Sequence, residues 1–366
     1  MNTIDSVIET LNINLDKSFR ATVGFDGFID EICHAVDKRD SNNSFKRLNT
    51  IPEFAERIAK ASGLSTNIEL VPIQSKLGGN GPIMANCLLS LNNSVSYIGA
   101  LGKDSINHLF KDFAQQCTSF TSFSNPGYTE AIEFLDGKIM LGKVSPMQDV
   151  TWENLLKALN IDDLTALIKK SELIGFTNWT LTFGMNSIIK GITEILTKTE
   201  HNPFIFFDLT DPTKRSNEDI LELLNLIKEI NKVSRVTLGL NKNESTLISN
   251  ILDCNSEDLI TRAKQIQTTL GIFCCVIHPI EGACSSFEKR ATWIDGPYTP
   301  TPKLSTGAGD NFNAGFCFGL LNGLTPHQAL YTGVATSGFY VRNAKSPNRL
   351  EIIDFLYKMA TNSVEE

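Results

Sequence analysis

A chain of 366 residues is long enough to bury a substantial core, and 42% hydrophobic with 20% charged residues is the composition of an ordinary soluble globular protein. A net charge of −8, with no basic run and no basic–aromatic interleaving, argues against a nucleic-acid partner. No apolar run approaches the ~18 residues of a membrane span, and Met1 to Lys17 lacks the basic start and apolar stretch of a signal peptide. The eight cysteines form no CxxC pair and have no histidine companions at metal-binding spacing, so they read as reduced thiols in a cytoplasmic protein.

In chain order, Thr22 to Phe25 reads as a first strand that delivers Asp26-Gly27-Phe28-Ile29-Asp30 at its exit. Two acids there can bind sugar hydroxyls. Capping of a turn is the other reading, equally open for Asp26. Ile32 to Asp37 reads as a short strand, Asp40 to Asn49 as a polar loop, Pro52 to Ala61 as a helix and Ile68 to Ile73 as a second short strand. Leu77-Gly78-Gly79-Asn80-Gly81-Pro82 is a glycine-rich turn feeding a helix, with Ile83, Cys87, Leu88 and Leu91 on one face. Strand Val95–Gly99, a helix marked by Ile106, Leu109, Phe110 and Phe113, and a hairpin turning at Asp136-Gly137 follow.

From Thr151 the rhythm becomes regular. Helices Trp152–Leu159, Ser187–Lys198, Asp219–Lys232 and Asp258–Leu270 alternate with strands Leu173–Phe176, Phe204–Asp208, Val236–Leu240 and Ile272–Ile277. Two short strands near Ser285 and Trp293 come next. Alternation of this kind specifies an α/β fold: a mostly parallel sheet with helices on both faces. The early polar strands stand outside it and form a small separate sheet, too small and polar to have a core of its own.

Leu304-Ser305-Thr306-Gly307-Ala308-Gly309-Asp310 then runs into a helix, and Thr325-Pro326-His327-Gln328 is a capping box for another. Glycines flanking an alanine allow backbone N–H groups to converge, and the helix start adds unpaired N–H groups and a positive dipole end. That combination suits a phosphoryl group, with Asp310 beside it as a proton acceptor. A helix start with a capping Asp is the plainer alternative.

Taken in this order, the pieces resemble the ribokinase-like carbohydrate kinases, the phosphofructokinase-B family, from about Thr22 to about Pro347. The Gly-Gly block at 77–81, the Tyr97-Ile98-Gly99-Ala100-Leu101-Gly102-Lys103-Asp104 segment, Asn241-Lys242-Asn243-Glu244 and Ser305–Phe312 carry the resemblance. It implies one ribokinase-like kinase domain over residues 1–366, with a β-sheet lid built from segments 31–38, 67–76 and 127–143. It also implies transfer of the ATP γ-phosphoryl group to a hydroxyl of a sugar or sugar-like acceptor. Asp310 would be the base, and the backbone of Gly307, Ala308 and Gly309 the anion hole. Asp30, Gly79 and Asn80, with Asp26 beside them, would hold the acceptor. Asn241 and Glu244 would organise Mg²⁺, Glu244 through water. Thr306, Gly282 and Asn343, the last in the segment Arg342–Pro347, would border the nucleotide. Exposed edges of such a lid sheet invite pairing, so a homodimer through the lid is also expected.

The chain departs from the family at several points. Leu304 replaces an acid that can help to ligate a monovalent cation, Ile83 replaces a usual Asn, Pro279 replaces a glycine, and Asp40–Ser65 is a longer insertion. A nucleoside kinase and a catalytically silent sugar-binding protein remain open on these residues. Lys214 and Arg215, after strand Phe204–Asp208, are further candidates for a phosphate contact.

Overall fold

The structure is a computed structural model that describes residues 3–364. Helix α1 (Thr3–Ile13) precedes β1 (Arg20–Gly24), and β2 (Phe28–Ser41) and β3 (Ser44–Arg47) form a hairpin. Then come α2 (Ile51–Ala59), β4 (Leu70–Gly78), α3 (Asn80–Ser90), β5 (Ser94–Gly99), α4 (Lys111–Gln116), β6 (Ser119–Ser122), β7 (Gly127–Glu133) and β8 (Lys138–Lys143). The regular half holds α5 (Trp152–Ala158), α6 (Ile161–Lys170), β9 (Leu173–Phe176), α7 (Met185–Thr199), β10 (Phe204–Asp208) and α8 (Asn217–Ile230). It continues with β11 (Arg235–Leu240), α9 (Lys242–Ile251), α10 (Leu259–Leu270), β12 (Cys274–Ile277), β13 (Gly282–Phe287) and β14 (Arg290–Asp295). Helices α11 (Ala308–Leu321), α12 (Pro326–Asn343) and α13 (Arg349–Ala360) close the chain.

The large sheet runs β14-β13-β12-β11-β10-β9-β1-β5-β6. Its strands are parallel except at the β12-β13-β14 edge, where two antiparallel pairings follow the short connections. Period-two alternation divides the apolar side chains between two cores. Phe206, Cys274 and Val276 join the layer of α1, α3, α11, α12 and α13. Ile205, Phe207, Cys275 and Ile277 join the layer of α6, α7, α8 and α10. Buried Arg349 ties the ends together: it donates to the carbonyls of Leu91 (2.6 Å), Asn14 (2.9 Å) and Leu15 (2.8 Å), and its guanidinium lies over Phe318 of α11.

The small sheet runs β3-β2-β7-β8, with β4 on the other edge of β2. Two expectations are corrected here. The Asp40–Asn49 segment is not a loop, because β2 continues to Ser41 and pairs with β3. Arg39 anchors this extension by donating to Glu69 at 3.1 Å. The sheet also has its own small core, in which Ala35 of β2, Ile132 of β7 and Phe134 are joined by Leu48 and by Phe54 of α2. Helix α2 is held by a Thr50–Glu53 capping box and packs Phe54 on Phe134 with ring centroids 5.4 Å apart. Residues inside the insertion therefore close the core that the strands alone lack.

Helices α1, α6 and α9 were not anticipated. In α9 the buried positions are Glu244, Ser245, Ile248 and Ser249, so its inward face is mostly polar and leaves no apolar period to read. Among the described residues no helix is long and apolar enough to cross a membrane.

Candidate active site

The carboxyl ends of β1, β10 and β11 and the starts of α3, α9 and α11 converge on a group of buried acids. Helix α3 has Gly79 at its N-cap, with φ +97° and no side chain to satisfy the first N–H groups. Asp26, at the exit of β1, does this from a distance. Its carboxylate accepts the N–H of Asn80 (3.0 Å) and of Gly81 (2.8 Å), and the Asn178 amide (2.8 Å). A Cβ on Gly79 would sit 3.0 Å from Asp26 Oδ2, and one on Gly81 2.6 Å from Oδ1, so both glycines permit the approach. Burial pushes the Asp26 carboxyl up to about 6 even against these hydrogen bonds.

Asn80, placed by this cap, turns its side-chain amide to two other acids. It donates to Asp310 Oδ1 at 2.9 Å and makes a longer contact to Asp208 Oδ2 at 3.4 Å. Asp310, in the first turn of α11, is 7% exposed. Burial, reinforced by the charges of Asp26 and Asp30, pushes it up to about 8. Asp208, at the end of β10, is raised well above the ordinary carboxylate range by burial and then by Glu244, Asp310 and Asp26. Its other side-chain contacts are long, 3.5 Å each from Asn313 and Thr210.

Glu244 closes a capping box with Asn241 at the start of α9. Its carboxylate accepts the N–H of Asn241 (2.8 Å) and of Asp211 (3.0 Å), and burial raises it. Ahead of α11, Gly307 is the N-cap at φ +90°, ψ 0°. The Ala308 N–H is taken by the Ser305 carbonyl at 3.1 Å. Those of Gly307 and Gly309 have no protein acceptor among the described residues.

Two cavities meet this loop from opposite sides. The first, about 490 Å³, is bordered by Asp30, Lys76, Ile83, Thr306 and Tyr340. The second, about 630 Å³, is lined by Asn241, His278, Gly282, Pro297, Ala308 and Gly309, with further prolines and apolar side chains. A more polar cavity and a more apolar one that share an amide-rich loop can hold two substrates on either side of a transferred anion.

The sequence profile of the prokaryotic ketohexokinase family matches residues 2–359. The chain belongs to the prokaryotic ketohexokinase family. A relative named ketohexokinase, from Haloferax volcanii, is 26% identical over 355 residues, covering 96% of this chain and 94% of its own. Arabidopsis thaliana ribokinase, solved with ribose and ATP, superimposes with a TM-score of 0.64 at 15% identity, covering 93% of this chain and 98% of that one. A Methanocaldococcus jannaschii nucleoside kinase of the ribokinase family gives 0.62 at 15% identity, over 93% and 99%. At these identities the structural likeness speaks for the fold alone. The chain is a ketohexokinase-family, ATP-dependent sugar kinase on a ribokinase-like fold.

Within this family member, the residues singled out from sequence fall into three groups. Asp310, Asn80, Gly307, Gly309 and Gly79 gather at the loop, Asp30 faces the first cavity, and Asn241 and Gly282 line the second. Asp30 is fixed by Lys76 and Thr129, its neighbours in register on β4 and β7, while burial raises its carboxyl. A second group sits differently from expectation. Asp26 is fully buried, with its oxygens taken by α3, which is the geometry of a cap. Ala308 has its N–H turned to Ser305, and Thr306 borders the first cavity instead of the second.

The third group lines neither cavity. Asn343 donates to its own helix at Phe339 (2.8 Å), and both cavity linings omit it. Arg215 is stacked on Trp179 and Phe183 and paired with Asp219 at 3.1 Å, while Lys214 is an exposed partner of Asp211. Sequence reading missed Asp208 as a site residue, along with Asn178, Asn311 and Tyr340. Asp208 did carry a signal: an acid at the exit of the apolar run Phe204–Phe207, the position that Asp26 holds after β1. Asn178 and Tyr340 come close only through the fold.

Proposed function

We propose that this chain transfers the γ-phosphoryl group of ATP to a hydroxyl of a ketohexose, with Asp310 as the base. The observation that carries this reading is the buried Asp310 carboxylate directly after the Gly307–Gly309 loop, one oxygen held by Asn80 at 2.9 Å. Asn80 fixes the carboxylate and leaves its second oxygen for the acceptor hydroxyl. A raised pKa brings its proton affinity toward working pH, where a base is most effective. The free N–H groups of Gly307 and Gly309 would receive the charge spread over the transferred group. ATP would lie in the more apolar cavity, with Asn241 and Gly282 at its border, and the sugar in the other, against Asp30, with its reacting hydroxyl reaching past that cavity's lining to Asn80, Gly79 and Asp310. The small sheet would act as a lid that keeps water from competing as acceptor.

Mg²⁺ fits the residues present. Among the described residues no three acids or histidines are close enough to hold a metal directly. Yet Asp208 is buried beside Glu244 and Asp310 with only long side-chain contacts besides the Thr210 backbone, and like charge raises it further. Asp208 and Glu244, through water, with Asn241 nearby, would hold the ion, which would neutralise phosphate oxygens when bound. We expect EDTA to abolish turnover and Glu244→Gln to raise the Mg²⁺ concentration needed for half-activity by about 10-fold or more. Gln can keep the capping box by turning its oxygen to the Asn241 N–H, at the expense of the Asp211 contact, whereas Ala would remove both. A Mg²⁺ titration identical to wild type would take Glu244 out of the site.

The acceptor class rests on the name of the family and on a cavity of about 490 Å³ walled by Asp30 and Lys76. An ADP-release assay with fructose, glucose, ribose and adenosine tests it. Fructose should lead in kcat/KM by about 10-fold or more; adenosine or ribose ahead of fructose would overturn the assignment. Half-exposed Met140 and Leu141 on the outer strand β8 support a homodimer through the lid, which sedimentation would report. Eight free cysteines and the use of ATP support a cytoplasmic setting.

A further inference from the structure

Gly307 is the pivot of the anion-binding loop and the residue whose backbone would swing most freely. Its two dihedrals are the rotations of the two peptide planes that meet at its Cα. Each plane is gripped by a side chain from elsewhere. The carbonyl of the plane before it, that of Thr306, accepts the Tyr340 hydroxyl from α12 at 2.9 Å. The carbonyl of the plane after it, its own, accepts the Asn311 side-chain amide at 2.9 Å and the Asn311 N–H at 3.0 Å. Asn311 is held in turn by the Ser346 hydroxyl, which donates to Oδ1 at 2.7 Å from the loop after α12. Asn311 is fully buried and Tyr340 is 8% exposed, so water does not compete strongly for these bonds.

A peptide unit is planar and trans, so fixing the direction of its C=O fixes its N–H in the opposite direction. The Tyr340 bond therefore aims the N–H of Gly307, and the Asn311 bonds hold the next plane, from which the chain enters α11 and reaches the N–H of Gly309. The space is matched as well: a Cβ on Gly307 would meet the Tyr340 hydroxyl at 2.9 Å and Ile83 at 3.3 Å. We infer that Tyr340 and Asn311, with Ser346 behind Asn311, are positioning residues that lock Gly307 so that the loop's free N–H groups stay aimed at the transferred phosphoryl group. This inference rests on the anion-hole reading above. It adds that the preorganisation comes from α12 and the loop that follows it; Tyr340 and Ser346 also border the cavity assigned to the sugar, so the split between kcat and the sugar KM is what separates the clamp from a direct sugar contact.

Tyr340→Phe removes one hydroxyl and keeps the ring. A loosened anion hole should lower kcat by about 10- to 100-fold while KM for sugar and for ATP stays within about threefold. Affinity for ADP with aluminium fluoride, a mimic of the transferred group, should fall in step with kcat while affinity for ADP alone holds. Ser346→Ala should show the same pattern more weakly, and it carries the test if Tyr340→Phe does not fold. Unchanged kcat in both variants, or equal loss of ADP and ADP–aluminium fluoride binding, would overturn the clamp. A wild type that binds ADP no more tightly with aluminium fluoride than without it would instead sink the anion-hole reading itself, and the clamp with it.

Discussion

Asp310→Asn is expected to lower kcat by about 10²-fold or more, and also to stabilise the unliganded protein above about pH 8. Asn has the shape of Asp, and its oxygen can still accept the Asn80 amide, so fold and nucleotide binding should survive. It cannot take a proton from the sugar hydroxyl. The stability gain follows from the same burial that suits Asp310 to act as a base. Its folded-state pKa of about 8 lies above the ordinary 3.8, so the folded protein binds the proton more tightly than the unfolded chain does. Stability from this group is therefore present at low pH and is lost as pH rises from about 4 to about 8. Asn escapes that loss. Wild-type kcat/KM should climb over the upper part of the same window as the base ionises. Denaturation midpoints at pH 5 and pH 8.5, together with turnover on a confirmed acceptor, check both halves. Turnover within a few-fold of wild type would remove Asp310 as base. An advantage for Asn that did not grow with pH would contradict the buried-charge account.

Much of the large sheet was legible because its code is local. β10 lies at Phe204–Asp208, as the apolar run indicated, and α8, α10 and β11 begin and end within two residues of expectation, since turn signals and apolar period agree there. The Thr325–Gln328 capping box is present at the start of α12. The small sheet was legible as a separate sheet but not in extent. β2 runs 14 residues through a bulge, and its later part is specified by Arg39 and Glu69, which are 30 residues apart in the chain.

In the candidate site, motifs told which residues gather, and three-dimensional bonding tells what each is bound to. Asn241-x-x-Glu244 is legible as four letters, yet its helix was missed because the inward face is Glu244, Ser245 and Ser249. Asp208 was hidden by the lysine and arginine that follow it, which turn to Asp211, Trp179 and Phe183 instead. Asn178 adopts a left-handed backbone at φ 56°, a conformation that Asn tolerates, but its bond to Asp26 spans 152 residues. Nothing local encodes a contact of that separation.

Asp26→Ala is expected to cost about 1–3 kcal/mol of stability and to reduce kcat at the same time. The carboxylate is the N-terminal cap of α3, contributed from β1. Removing it leaves the N–H groups of Asn80 and Gly81 and the Asn178 amide buried without their acceptor. Asn80 is then free to shift, and with it the amide that holds Asp310 at 2.9 Å. Asp26→Asn separates this account from one in which Asp26 binds the sugar. Oδ2 receives two N–H donors, from Asn80 and Asn178, and Oδ1 receives the Gly81 N–H. An amide in the same place must turn its own NH₂ toward one of these donors, so Asn should destabilise nearly as much as Ala. A sugar contact predicts the reverse: an Asn variant folded like wild type, with a raised KM for the acceptor and kcat little changed. The comparison belongs at about pH 7.5, above the value of about 6 to which burial raises Asp26, where the carboxylate is ionised and accepts from all its donors.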